Sequence, residues 1–263
     1  MSDIRKLLDI MVALRDPNHG CPWDIAQTFS SVAPYTVEES YEVADAIERE
    51  DMDDLKDELG DLLLNIVFHA QIADERGLFD FSAVVESICE KMIRRHPHVF
   101  EPDKTGSQPD LHIAWEAQKA EERRAKRGAD ARDEDSALAG VALALPALMR
   151  AQKLGKRASR VGFDWRDIDP VIGKIREELE ECEEALGESK SRQHEEIGDL
   201  LFAVVNLARH AKVDAEQALR DANNKFQARF ERVEQGVRNS NQRLEDCSEL
   251  ELDTLWEAAK SRD

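Results

Sequence analysis

Apolar positions recur at three- and four-residue steps along most of the chain. Between Pro170 and Leu186 they fall at Val171, Ile172, Ile175, Leu179, Cys182 and Leu186, the spacing of one helix face. Pro170 suits the start of that helix and Gly187 its end. From His194 to Ala211 apolar residues lie on most sides (Ile197, Leu200, Leu201, Val204, Val205, Leu207), which predicts a buried central helix. A third helix is predicted over 214–237 and a short one over 250–260. The first half offers counterparts at about 36–49, 51–75, 80–95 and 110–125. No segment reads as a strand. The fold class is therefore all-α, and short connections make antiparallel helical bundles.

The halves share more than periodicity. Glu38-Glu39-Ser40-Tyr41-Glu42 is followed by Glu58-Leu59-Gly60-Asp61-Leu62-Leu63, and Glu177-Glu178-Leu179-Glu180-Glu181 by Glu196-Ile197-Gly198-Asp199-Leu200-Leu201. Lys91 and Arg95 stand four apart, as do Lys225 and Arg229. Each half then reaches W-E-A-x-K, at Trp115–Lys119 and Trp256–Lys260. Four shared features in one order indicate a tandem duplication. The charged stretch 126–136 has no apolar periodicity and reads as a linker. The expected domains are 1–125 and 137–263.

Helical geometry places the acids. On the 170–186 helix, Glu178 and Glu181 lie on one flank of the apolar stripe, with Lys174 four residues before Glu178. Glu177, Glu180 and Glu184 point to solvent. On the next helix Glu196 heads the row Glu196, Leu200, Ala203, Leu207, with Asp199 beside it. Gly198 removes a side chain there, which predicts a close backbone approach. The short turn through Gly187 makes the two helices antiparallel, so Glu178 and Glu181 can face Glu196 and Asp199. Two unit charges about 4 Å apart cost on the order of 4 kcal/mol at an effective dielectric near 20. A cation would relieve that cost, and all-oxygen ligation suits Mg²⁺ or Mn²⁺. A single E-E-x-x-E is ordinarily a solvated helix face; its repetition with E-x-G-D at similar spacing favours a metal site.

Composition narrows the partners. The chain has 263 residues, 36 Lys plus Arg against 56 Asp plus Glu, and a formal net charge of −20. Such a surface repels nucleic acid and anionic membrane, so neither is an expected partner. Any anionic ligand then needs local positive charge, most simply a divalent metal. The four cysteines are scattered without a C-x-x-C, and Met1–Lys6 run into an amphipathic stretch rather than an apolar signal segment. The expectation is a soluble cytoplasmic protein. No P-loop, G-x-G-x-x-G, G-x-S-x-G or H-E-x-x-H occurs, and none of the seven histidines follows a Glu by three residues.

E-E-x-x-E followed by E-x-x-D on paired helices resembles the MazG family of all-α nucleoside triphosphate pyrophosphohydrolases. The resemblance spans nearly the whole chain. It includes Arg15-Asp16-Pro17, Cys21-Pro22-Trp23-Asp24, Gln27-Thr28-Phe29, Arg94–Phe100, Leu145–Lys153 and Val161-Gly162-Phe163-Asp164-Trp165. It implies a homodimer of tandem helical bundles that hydrolyses ribo- and deoxyribonucleoside triphosphates to monophosphate and pyrophosphate with Mg²⁺. It implies metal ligation and catalysis by Glu178, Glu181, Glu196 and Asp199. Nucleotide contacts fall on Lys174, Lys225, Arg229 and Trp256, with Arg192 in the connecting loop a weaker match and Glu177 a further candidate. The second half is the expected active one: Asn223 precedes Lys225 there, where the first half has Cys89. Glu39, Glu42, Glu58 and Asp61 form a possible second, weak or inactive metal site. The rival readings are a non-enzymatic helical scaffold or regulator, and a hydrolase narrow for one non-standard nucleotide.

Overall fold

The computed structural model describes residues 4–100 and 136–261. Among the described residues every regular element is helical, and the chain divides into two units, Met1–Glu122 and Arg123–Asp263. The helix expected over 110–125, with Trp115 and Lys119, and all of the expected linker but Ser136 lie outside the described residues. No helix among the described residues is long and apolar enough to cross a membrane.

The first unit contains α1 (Ile4–Leu14), α2 (Pro22–Ala26), α3 (Phe29–Glu48), α4 (Met52–Glu75), α5 (Phe81–Arg95) and α6 (Pro97–Phe100). Helix α3 begins seven residues before its expected start at 36. The cause is a capping box: the Thr28 hydroxyl accepts from the Ser31 amide, and the Ser31 hydroxyl accepts from the Thr28 amide. The helix runs on through Pro34. Helices α3 and α4 form an antiparallel pair, and α1 and α5 pack on α4. The core gathers Met11, Val32, Val67, Phe68 and Ile72, with Leu7, Leu64 and Phe81 against it. Arg15 closes this core. Its guanidinium grips Glu75 through two bonds of 2.8 and 2.6 Å, donates to the Asp24 carbonyl, and lies over the Phe68 ring.

The second unit contains α7 (Ala147–Arg160), α8 (Ile168–Ala185), α9 (Lys190–His210), α10 (Ala215–Asn239), a 3₁₀ turn at Leu244–Asp246 and α11 (Glu249–Lys260). Helix α8 pairs with α9; α7 packs on α9 and α10; α11 packs on α10. Ser189 caps α9 by accepting from the Arg192 amide, so the helix starts four residues before His194. Arg192 therefore sits in the first turn of α9, not in a connecting loop.

Two further expectations are corrected. Helix α9 is not buried all round: Ile197, Leu201, Phe202 and Val204 are about half exposed, while Glu196, Ala203 and Val205 are buried. Its neighbours α7 and α8 cover only part of its circumference. Gly198 does not mediate a close approach, since a Cβ there, or at its counterpart Gly60, would meet nothing within 4 Å. The glycine of closest approach in this unit is Gly236, where a Cβ would lie 2.7 Å from Leu255 Cδ2, so that the leucine side chain would have to turn aside.

Candidate functional site

The site of the second unit forms where α8 and α9 run side by side. Glu178 comes from α8, and Glu196 and Asp199 from α9. One carboxylate oxygen of each lies within 4.8 Å of the other two. Glu178 and Glu196 are only 5% and 3% exposed, whereas Asp199 is exposed. Buried acids demand partners, and each of these has a cation one helical turn before it. Lys174 Nζ lies 2.7 Å from Glu178 Oε1, and Arg192 Nη1 lies 2.6 Å from Glu196 Oε1. Both pairs are i,i+4 neighbours, the spacing that brings side chains together on a helix. One polar atom remains unanswered: Glu178 Oε2 is buried with no hydrogen-bond partner. A carboxylate oxygen left bare beside two other acids is the arrangement an oxygen-loving cation satisfies.

The other expected residues are placed as follows. Glu181 stands outside the trio but feels it: burial, then the Glu196 and Glu178 charges, raise its pKa. Glu177 is largely exposed and takes a second bond from Lys174 at 2.7 Å. This holds the Lys174 ammonium between two carboxylates, and its pKa is raised, first by the Glu177 bond and then by that to Glu178. On α10, Lys225 is exposed and Arg229 half-buried. The Arg229 guanidinium lies 6.0 Å from the centre of the Trp256 ring, and Trp256 also meets Phe226 at 5.3 Å. The carboxylates, Lys174 and Arg192 thus form one cluster, and Arg229 and Trp256 another on α10 and α11.

The first unit repeats the acids, but no cation stands one helical turn before them. Glu39 on α3 and Glu58 and Asp61 on α4 again offer oxygens within 4.8 Å of one another. Burial, with the charges of Asp61 and Glu42 added, raises Glu39 to about 7, and burial and Glu42 raise Glu58. The positions matching Lys174 and Arg192, four before Glu39 and Glu58, hold Tyr35 and Asp54. Asp54 is itself bound by Arg49. Sequence reading missed this contrast, although counting back four residues from each acid exposes it.

A second missed constellation braces the turn before α8. Asp164 accepts from Arg209 Nη1 at 2.8 Å and pairs with His210 Nε2 at 2.9 Å. The Arg209 contact, followed by that of His210, lowers the Asp164 pKa to about 2. The partners lie 45 and 46 residues away, so no local signal announces them.

Comparison with known proteins places this geometry. The profile of the MazG nucleotide pyrophosphohydrolase domain matches residues 27–100 and 169–234, which contain the α3–α4 and α8–α9 acids respectively. The nucleoside triphosphate pyrophosphohydrolase of Escherichia coli (strain K12) is 46% identical over 266 aligned residues, covering 100% of this chain and 99% of the relative. The nucleoside triphosphate pyrophosphohydrolase/pyrophosphatase MazG of Thermotoga maritima is 44% identical over 259 residues, covering 98% and 96%. The chain belongs to the MazG nucleotide pyrophosphohydrolase family.

Proposed function

We propose that this protein is a Mg²⁺-dependent nucleoside triphosphate pyrophosphohydrolase. It cleaves NTPs and dNTPs between the α and β phosphates to give the monophosphate and pyrophosphate. Residues 137–263 are its catalytic domain. The observation that carries the reading is the Glu178–Glu196–Asp199 trio with the unpartnered Glu178 oxygen, set between Lys174 and Arg192. The names of the two relatives supply the reaction class.

Glu178, Glu196 and Asp199 would hold the metal, with Glu181 at the edge of the set; Mn²⁺ fits the same oxygens. When bound, the ion supplies charge neutralisation for the phosphates and a water of lowered pKa. Lys174 and Arg192 do the remaining electrostatic work. They neutralise Glu178 and Glu196 in the metal-free protein, and with a metal held by those carboxylates they would be free to meet phosphate oxygens. Arg229, fixed against Trp256, and exposed Lys225 supply positive charge for the polyphosphate. If a carboxylate takes the proton of the attacking water, Glu177 and Glu178 are the candidates. The first unit, which has Tyr35 and Asp54 at the matching positions, is a weak or inactive metal site.

The test is product analysis with each of the eight common NTPs and dNTPs, with Mg²⁺ and with chelator. Monophosphate plus pyrophosphate, lost with chelator, is expected. Orthophosphate release would mean that another bond is cut, and no turnover would favour the scaffold or narrow-hydrolase reading.

A further inference from the structure

Beside the carboxylates the second unit holds a cavity of about 570 Å³, lined by α7, the turn before α8, and α8 and α9. That size suits a small organic ligand. Lys174, Glu178 and Asp199 line one part of it, so the cavity and the acid cluster share a wall. The rest is largely apolar and includes Phe163, Trp165 and Phe202. These rings are 80, 43 and 46% exposed, so they are free faces rather than packed core. Aromatic faces beside a phosphate-type site suit a stacked nucleobase.

One polar side chain in this lining has its orientation fixed. Asn206 Oδ1 accepts from Arg209 Nε at 2.9 Å and from Arg209 Nη2 at 2.7 Å. A guanidinium only donates, so the amide oxygen must face it and the Nδ2 protons are turned elsewhere. Arg209 is in turn held by Asp164, and it lies against Gly155, where a Cβ would come within 3.3 Å of Nε. Asn206 is among the lining residues, and with Oδ1 occupied by Arg209 its remaining polar group is the Nδ2 donor. Asp199 and Asn206 are seven residues apart on α9, close to two full turns, so they share a face about 10.5 Å apart along the axis. With its phosphates at Asp199, a nucleotide extended along that face would bring the base edge, C4 of a pyrimidine or C6 of a purine, to the level of Asn206.

We infer that Asn206 reads the base. Its fixed N–H donor favours an oxo group at that position (uracil, thymine, guanine, hypoxanthine) over the amino group of cytosine and adenine. The inference rests on the pyrophosphohydrolase reading above and adds a base preference to it.

The experiment compares kcat/KM for UTP against CTP and for ITP against ATP, pairs that differ at that group and at the hydrogen on the ring nitrogen beside it. The oxo member of each pair is expected to lead by roughly tenfold, the scale of one hydrogen bond made against one left unmade. Asn206→Asp keeps an acceptor for Arg209 and replaces the N–H donor with an oxygen, so both ratios should shift towards the amino member. Asn206→Leu should bring both towards one. Wild-type ratios at or below one, or ratios in Asn206→Asp equal to wild type, overturn the inference while general pyrophosphate release leaves the hydrolase reading standing. Absence of pyrophosphate from every substrate overturns both. Should a variant fail to fold, the two wild-type ratios still decide.

Discussion

Glu196 shows what a buried acid costs and why it is kept. It is almost fully removed from water, and its ion-pair partner Arg192 is itself 43% exposed. The Glu196→Ala variant should fold, because its removal relieves crowding of like charge, yet it should lose turnover. Circular dichroism and pyrophosphate release read the two halves of that expectation. Asp199→Asn tests the same conflict from the exposed side of the trio. In chelator its melting temperature should exceed wild type by about 2–4 °C, the shift of a small gain in a chain of this size. In Mg²⁺ the order should reverse, since the wild type then gains the binding energy of the ion. Asp164 gives a pH-dependent counterpart. Its folded pKa of about 2 lies below the ordinary 3.8, so the unfolded chain takes up the proton first. The stability it contributes is complete above about pH 4 and lost as pH falls towards about 2. The melting-temperature gap between wild type and Asp164→Asn should be constant at neutral pH and close across that window.

At the scale of elements, the second unit depends on how closely its helices meet. Gly236 lets α10 lie against Leu255 of α11, next to Trp256. Gly236→Ala should change stability by no more than about 1 kcal/mol, because the helix gain of alanine offsets the repacking of a leucine methyl. Trp256→Ala, which removes the ring beside Arg229, should raise KM more than it lowers kcat. Equal KM in variant and wild type would detach the α10–α11 cluster from substrate binding. In the first unit Gly20 is tighter still, because a Cβ there would meet the carbonyl oxygens of Leu14 and Asp16 at 2.4 and 2.6 Å. That turn delivers Arg15 to Glu75, so the N-terminal strings that carry the family resemblance serve the core of this unit.

At the scale of the molecule, the described residues leave apolar side chains of the α8–α9 pair exposed. Leu179 on α8 and Ile197, Leu201 and Val204 on α9 are each close to half exposed. A patch of this kind on paired helices marks an interaction surface, and the proposed occupant is a second copy of the chain. Sedimentation velocity should give a dimer, and Leu201→Glu should shift it to monomer. A wild-type monomer at micromolar concentration would remove that expectation. The net charge of −20 argues that salt strengthens rather than weakens such an assembly, since it screens repulsion between two acidic bodies.

The helical class, the E-E-x-x-E and E-x-G-D pairs, and the acids that share a helix flank are all readable along the chain. These are local matters, because a period of 3.6 residues and i,i+4 spacing follow from backbone geometry alone. Ion pairs such as Lys174–Glu178 were legible for the same reason. The start of α3 was misread because Pro34 masks a cap set six residues earlier at Thr28. The exposure of α9 was misread because an apolar helix surface does not say which neighbour covers it. Only the tertiary structure decided that Glu178 keeps a bare oxygen, that Glu181 stands outside the trio, and that Asp164, Asn206 and Arg209 fix one wall of a cavity. Those facts join residues far apart in the chain, and their geometry is set by how α7, α8 and α9 pack rather than by any local repeat.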